Sequence, residues 1–310
     1  MNNCLKCLQP LNFSDSHYGL HGACFKAWFK VNTLPQFLGL QQKSAESKAP
    51  ETGQLTRSYN SSFFHGKFKK YSADLAGVSY ILKMREQGAP ELPEVEYLCN
   101  QIADMLVIPV ANYYIIEFAG ERVYVTQNFI KKGGTLSNLS HIYHSIKPNE
   151  KYNCRALIRA ISENTKRPYD VEVFVHTCLF DALIGNHDRH GRNLGLVVTS
   201  ARTTLSPIYD NVSYLSLESG SMLQADFNPA GKIATDDAEH PSIEDYIKEF
   251  FDLDLEEQVR IFFSRVKPTK IHSLVENSFC SSAMKNAIKK LIDKRYQEFS
   301  DAIAKRSKPA

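Results

Sequence analysis

Leu183-Ile184-Gly185-Asn186-His187-Asp188-Arg189-His190-Gly191-Arg192-Asn193, followed after a short apolar hairpin by Pro207-Ile208-Tyr209-Asp210, is the most informative part of this chain. Upstream, Val173, Phe174, Cys178, Leu179, Ala182 and Leu183 recur at helical spacing up to Gly185, a residue able to take the left-handed conformation that ends a helix; Asp170 is placed to cap its start. Downstream, Leu194 to Val198 and Thr203 to Ile208 read as two short strands joined by a polar turn. Asp188 can accept a proton from a hydroxyl, while Asn193 and Asp210 offer the hard oxygens that Mg²⁺ prefers. That inventory suits phosphoryl transfer, to which a protein contributes mainly positioning and charge neutralisation.

Such chemistry also needs a cation for the phosphates. Arg57 to Lys83 alternates polar with apolar or aromatic residues, as two or three antiparallel strands would, and Lys83 closes the last of them. Pro93, Glu94 and Glu96 then make a good helix start, with Val95, Leu98, Ile102 and Leu106 on one face. Glu96, thirteen residues after Lys83, is the candidate to pair with it and hold it forward. Glu94 is the competitor and points roughly 200° away on the helical wheel. Strands near Tyr113 to Glu117 and Arg122 to Val125 flank the turn at Ala119-Gly120, and the remainder is mainly helical. Met284, Ile288, Leu291, Ile292, Phe299 and Ile303 form a core stripe near the C-terminus.

Taken singly, these residues are ordinary: a lysine ending a strand usually snorkels to water, and a loop Asp usually forms a turn. Their order along the chain carries the reading. His187 and His190 suggest a metal-dependent hydrolase instead, but such a site needs further ligands at helical spacing, and His176 is the nearest. His190 is better read as a loop residue near the phosphates. A non-catalytic descendant is disfavoured because Lys83, Asp188, Asn193 and Asp210 are all intact.

With 310 residues, 43% of them hydrophobic, the chain has the material for two packed subdomains. Its net charge of +3 is spread along the sequence, so no direct nucleic-acid partner is expected, and Lys67, Lys69 and Lys70 read as a solvated strand edge. No apolar run is long enough for a membrane span, and Met1 to Pro10 lacks the layout of a secretory signal. Seven cysteines, an odd number, suit a reduced cytoplasmic protein. Residues 1–40 read as a small Cys-containing aromatic unit and 41–56 as a linker or mobile loop, ahead of an N-lobe over 57–130 and a helical C-lobe over 131–310. Within the first unit, Cys4, Cys7, His21 and Cys24 have the spacing of a structural Zn²⁺ site, and equally that of buried thiols with His21 in a turn; both readings stand on the sequence.

At these residues the chain resembles the HipA-like family of bacterial serine/threonine kinases, the toxin halves of toxin-antitoxin pairs. The family's N-x-D-x-H-x-x-N loop runs here from Asn186 to Asn193, its Tyr-Asp metal motif is Tyr209-Asp210, its strand lysine is Lys83, and its helix start spans Glu94 to Cys99. The resemblance covers the chain from about Arg57 onward. It implies an α+β, bilobal protein-kinase-like fold with a small antiparallel N-lobe and a mainly helical C-lobe. The fold is distantly similar to phosphatidylinositol kinases, whose D-R-H-x-x-N loop is also seen and leaves a lipid or small-molecule kinase as the alternative. ATP and Mg²⁺ follow, with adenine served by main-chain groups at Gln127 and Phe129.

Three departures accompany the likeness. The hinge, Thr126 to Ile130, lacks the family's two charges. The phosphate loop, Ser58 to Lys67, keeps serines but not the glutamine and early glycine. Ser58, Ser61 and Ser62 are therefore candidates for the family's autophosphorylation, which would repel ATP or eject the loop; as turn residues they would need no such role. Lys83 arrives early, as in the short three-component form, which implies a small partner supplying an N-terminal subdomain and a DNA-binding antitoxin. Relatives phosphorylate aminoacyl-tRNA synthetases, which makes one of these a candidate protein substrate.

Overall fold

Two Ala-Gly turns shape the first part of the structure. Ala76-Gly77 (φ 49° and 80°) and Ala119-Gly120 (φ 53° and 81°) are left-handed at both positions, the geometry whose twist matches that of the strands it joins. The first turn links β6 (Lys70–Leu75) to β7 (Val78–Lys83), and the second links β8 (Tyr113–Phe118) to β9 (Glu121–Gln127). With β5 (Leu38–Lys43) they form a five-stranded antiparallel sheet in the order β5-β6-β7-β9-β8. The computed structural model describes residues 2–43, 70–130, 138–224 and 233–306. The chain divides into two units, Met1–Tyr97 with Ala111–Phe129 and Leu98–Val110 with Ile130–Ala310.

In the first unit, short ladders pair β1 (Asn2–Asn3) with β2 (Pro10–Leu11) and β3 (Ser16–His17) with β4 (Leu20–His21). Helix α1 (Gly22–Phe29) follows. Its Phe29 meets Tyr114 and Tyr80 of the sheet at ring-centroid distances of 4.5 and 5.6 Å, and Phe37 meets Tyr80 at 5.6 Å. Edge-to-face and tilted ring contacts of this kind add to the stabilisation from area burial. The expected boundaries therefore change. Residues 1–40 are not separate from the sheet, and Gln41 to Lys43, read as linker, pair with β6. Residues 44–69, which include Ser58, Ser61, Ser62, Lys67 and Lys69, lie outside the described residues.

Helix α2 (Leu92–Met105) begins one residue before the expected Pro93, and the division between units falls within it, so Leu98–Val110 groups with the second unit and not with the N-lobe to which 57–130 had assigned it. That unit holds α3 (Cys154–Thr165), α4 (Pro168–Ile184), α5 (Ile243–Asp252), α6 (Glu256–Arg265), α7 (Pro268–Glu276) and α8 (Ser282–Arg306). A three-stranded sheet joins β10 (Asn138–His141), β11 (Gly195–Val198) and β12 (Thr203–Leu205). β12 stops short of the expected Ile208 because Pro207 has no N–H for the ladder; Ile208 instead donates its N–H to Pro109 O at 2.8 Å. The α8 stripe is buried as its periodicity predicted, packed on α4, α5 and α7. Helix α4 is buried on nearly every side, including Asp170, His176 and Asp181. Asp170 does not cap it: Arg167 is the N-cap, and the Asp170 carboxylate accepts from Leu205 N–H at 3.1 Å. Among the described residues no helix is long and apolar enough to cross a membrane.

Candidate active site

The loop after α4 is built around one buried arginine. Gly185 takes φ +69° and ends the helix, with the cap N–H returned to Asp181 O. Asp181 is a carboxylate in an otherwise apolar stretch, and burial there demands partners. It finds them in Arg189, whose Nε and Nη2 donate to its two oxygens at 2.8 and 2.9 Å, and in Asn186 Nδ2 at 2.9 Å. Nη1 of Arg189 donates to Asn193 O at 3.1 Å and Tyr209 O at 2.7 Å, and Nη2 also reaches Asn211 Oδ1 at 2.6 Å. All five guanidinium donors are thereby used. Asn211 Nδ2 extends the network to Asn100 Oδ1 on α2 at 2.6 Å. Burial alone would push the guanidinium down, but Asp181 outweighs it and holds the Arg189 pKa above its ordinary value.

The predicted loop residues hang on this frame. Asn193 is buried and donates Nδ2 to Asp188 O at 2.8 Å, which turns its oxygen to the other side. Asp210 follows the clamped Tyr209 carbonyl and holds φ +54°, a region that non-glycine residues seldom enter and that clusters at functional sites. The Asp188 N–H donates to Asn186 Oδ1 at 3.0 Å, while its carboxylate is exposed. His190 takes an N–H from Arg192 on Nδ1 at 3.1 Å and brings Nε2 to 3.6 Å from Asp188 Oδ1. The histidines do not gather as a hydrolase would require: the His187 ring lies by Tyr214, and His176 bonds Gln258 O.

In the first unit, Lys83 ends a strand as expected but does not snorkel; it is 2% exposed. Its Nζ lies 2.5 and 2.7 Å from the two oxygens of Glu96. Glu94, also buried, pairs with Arg85 and Arg122 instead, so the helical-wheel argument separated the two glutamates correctly. At the expected hinge, Gln127 N–H donates to Asn112 O at 2.8 Å, and the next N–H, that of Asn128, donates to Ser79 O at 2.9 Å, both within the sheet's own bonding. Phe129 follows, half-buried.

The N-terminal set also converges, with the ligand atoms of Cys4, Cys7, His21 and Cys24 all within 4.8 Å of one another. Burial raises the Cys4 thiol, but N–H groups of Cys7, His21 and Lys6 outweigh it and bring the pKa down to about 6. Cys24 is pushed up to about 11 by burial and by its neighbours Cys7 and Cys4.

Arg189, Asp181, Asn211 and Asn100 were not singled out from the sequence. One signal was available: an aspartate between Phe180 and Ala182 of an apolar helix requires a buried cation, and Arg189 lies eight residues on.

A five-stranded antiparallel unit carrying a buried Lys-Glu pair, joined to a helical unit carrying an Asp-x-x-x-x-Asn loop and a strained Asp, defines a kinase-like bilobal fold. Residues 39–293 match the HipA-like C-terminal domain, and the chain belongs to that family. The Helicobacter pylori proinflammatory kinase CtkA superposes with a TM-score of 0.64 at 19% identity, over 76% of this chain and 93% of that one. The HipA, HipB and operator DNA complex of the Shewanella oneidensis MR-1 toxin-antitoxin system gives 0.56 at 15% identity, over 86% of this chain and 74% of that one. In sequence, 160 residues are 27% identical to a Sinorhizobium fredii protein named "Putative kinase Y4dM". That match spans 46% of this chain and 39% of the relative's length.

Proposed function

We propose that this protein is an ATP- and Mg²⁺-dependent serine/threonine protein kinase acting as the toxin of a HipA-like toxin-antitoxin system. The observation that supports the reading is the reach of Arg189 Nη1 to both Asn193 O and Tyr209 O, which ties the backbone at Asn193 and at the residue before Asp210, the two candidate metal ligands, to one buried group. Both would present oxygen, and the Asn193 amide is already turned to do so. Mg²⁺, when bound, neutralises charge on phosphate oxygens. Asp188 serves as the base, its exposed carboxylate able to meet a substrate hydroxyl. His190 stands beside that carboxylate and near the phosphates. Lys83 contacts the phosphates as a point charge, and Glu96 holds its amine. Main-chain groups at Phe129 and the Gln127 carbonyl serve adenine. Autophosphorylation of Ser58, Ser61 or Ser62 would oppose ATP by charge.

Family membership supports a DNA-binding antitoxin and a small N-subdomain-like companion as partners, and an aminoacyl-tRNA synthetase as substrate. Seven free cysteines suit a cytoplasmic setting. Incubation with γ-labelled ATP and cell lysate tests the activity. Label should enter protein as phosphoserine or phosphothreonine; label in lipid would replace this reading with the lipid kinase that the D-R-H-x-x-N loop also suits.

A further inference from the structure

A second constellation lies in the first unit and takes no part in the proposed phosphoryl transfer. Cys4 and Cys7 bracket a tight turn after β1, closed by Leu8 N–H to Cys4 O at 2.8 Å with Leu8 at φ +60°. His21 ends β4, and Cys24 lies in the first turn of α1. His21 Nδ1 is 3.4 Å from Cys7 Sγ and 3.9 Å from Cys24 Sγ, while Nε2 is 3.0 Å from Pro10 O. A carbonyl only accepts, so Nε2 carries the proton and Nδ1 turns its lone pair toward the thiols. Metal-bound histidines are commonly oriented in this way by a carbonyl on their other nitrogen.

The alternative, thiols packed as small hydrophobes, does not fit. Only Cys4 is buried; Cys7 is exposed and Cys24 half-buried. A tetrahedral ion with bonds of about 2.0–2.3 Å would hold its ligand atoms roughly 3.5–3.8 Å apart, and the His21 distances bracket that range.

We propose that Cys4, Cys7, His21 and Cys24 bind one Zn²⁺ in a closed three-sulfur, one-nitrogen tetrahedron, and that this ion clamps the N-terminal segment onto the outer strand of the sheet. β8 is an outer strand, and its Glu117 N–H donates to Tyr18 O at 2.9 Å. Leu5 N–H donates to Gly19 O at 3.0 Å, and the Tyr18 ring stacks on Phe118 at 6.1 Å. Gly19 (φ +75°) fits because a Cβ there would lie 2.9 Å from both Glu117 Cβ and Leu5 Cδ1. The covering segment is made of two-residue strands and an eight-residue helix, too little structure to hold itself without a staple. With four protein ligands the ion has no open position, so its part is structural.

The test uses the full chain purified from zinc-supplemented cells. Metal analysis should find about one Zn²⁺ per chain, lost in the Cys7→Ser/Cys24→Ser variant. Replacement by Co²⁺ should give a thiolate-to-cobalt charge-transfer band and the strong d–d absorption of a tetrahedral site. Chelation should lower the melting temperature of the wild-type chain. If the double variant does not fold, the Co²⁺ spectrum of the wild type decides alone. Wild-type chain that retains no zinc, or a Co²⁺ spectrum of six oxygen ligands, would overturn the assignment. Neither readout depends on kinase activity.

Discussion

Each unit of the molecule buries an ion pair, and the two pairs are built for different ends. In the helical unit, Arg189 spends all five donors on Asp181, two carbonyls and Asn211, a fixed fork in a fixed socket. In the sheet unit, Lys83 meets both oxygens of Glu96 through one amine on a flexible stem, 5.5 Å from the Tyr124 ring centroid. A guanidinium so saturated is scaffold, whereas an ammonium can turn from its carboxylate toward a phosphate without unmaking the strand that carries it. The first charge is locked; the second is held ready.

The largest expected effect breaks activity beside the locked charge while leaving the lock intact. Asp188→Ala should reduce phosphoryl transfer by roughly 10²–10⁴-fold with an unchanged melting temperature, since its side chain is 58% exposed. Labelled-ATP assays and thermal melts of the same preparation check both halves. One residue on, Arg189→Ala should do the reverse in kind. It strands Asp181 in the core at a cost of about 3–5 kcal/mol, read as a shift in the urea midpoint. Activity is lost because the unit unfolds or loosens, not because a reacting group is missing. If Arg189→Ala melted like the wild type, the scaffold role would fail.

How much of this was legible in the sequence depends on how local the cause is. Asp188, Asn193 and Asp210 could be nominated from the sequence because the chemistry proposed for them follows from residue type and order. Glu96 was separable from Glu94 because helical geometry is periodic. The hub was not, since Arg189 reaches partners eight, four, twenty and twenty-two residues away, and no periodicity encodes such distances. Leu38 to Lys43 was missed for a related reason. Half of it reads as polar linker, and it becomes a strand only by pairing with β6, with a register shift between Leu38 and Gln41. Which main-chain group at Gln127 stays open to a ligand was not legible either, because the bond from its N–H to Asn112 O depends on strand pairing and not on residue type.

The ready charge should behave differently from the locked one when both partners are replaced. Lys83→Met alone removes the cation that the buried Glu96 carboxylate faces, and should destabilise by about 3 kcal/mol while raising the KM for ATP. Adding Glu96→Leu should restore stability to within about 1 kcal/mol, because a buried pair replaced by apolar groups is often neutral. Nucleotide use should stay impaired. The parallel exchange, Arg189→Leu with Asp181→Leu, should not recover, since Asn193 O, Tyr209 O and Asn211 would lose their donor. Denaturant titration of these three variants beside Arg189→Ala tests this directly; equal recovery in both units would erase the distinction.

The smallest effect concerns a third solution to burying a polar group, five residues before Asp181 on the same helix. His176 is kept uncharged. Burial is the main cause, Gln258 O partly opposes it and Arg265 adds to it, and together they lower its pKa to about 4; Glu172 Oε1 lies 3.9 Å from Nδ1. Because the folded pKa is below the unfolded value of about 6.5, acid favours the unfolded chain, which takes up the proton first. The contribution is complete above pH 6.5, declines as pH falls toward 4, and changes no further below that. Between pH 7 and 5.5 the loss should be about 1 kcal/mol. His176→Gln keeps a donor for Gln258 O but cannot titrate, so the stability difference between variant and wild type should drift by that amount over the interval. A pH-independent difference would mean that folding does not shift the imidazole's pKa, and a drift of the opposite sign, with stability rising as pH falls, would mean that it is charged in the folded state and paired with Glu172, which would place His176 among the locked ion pairs.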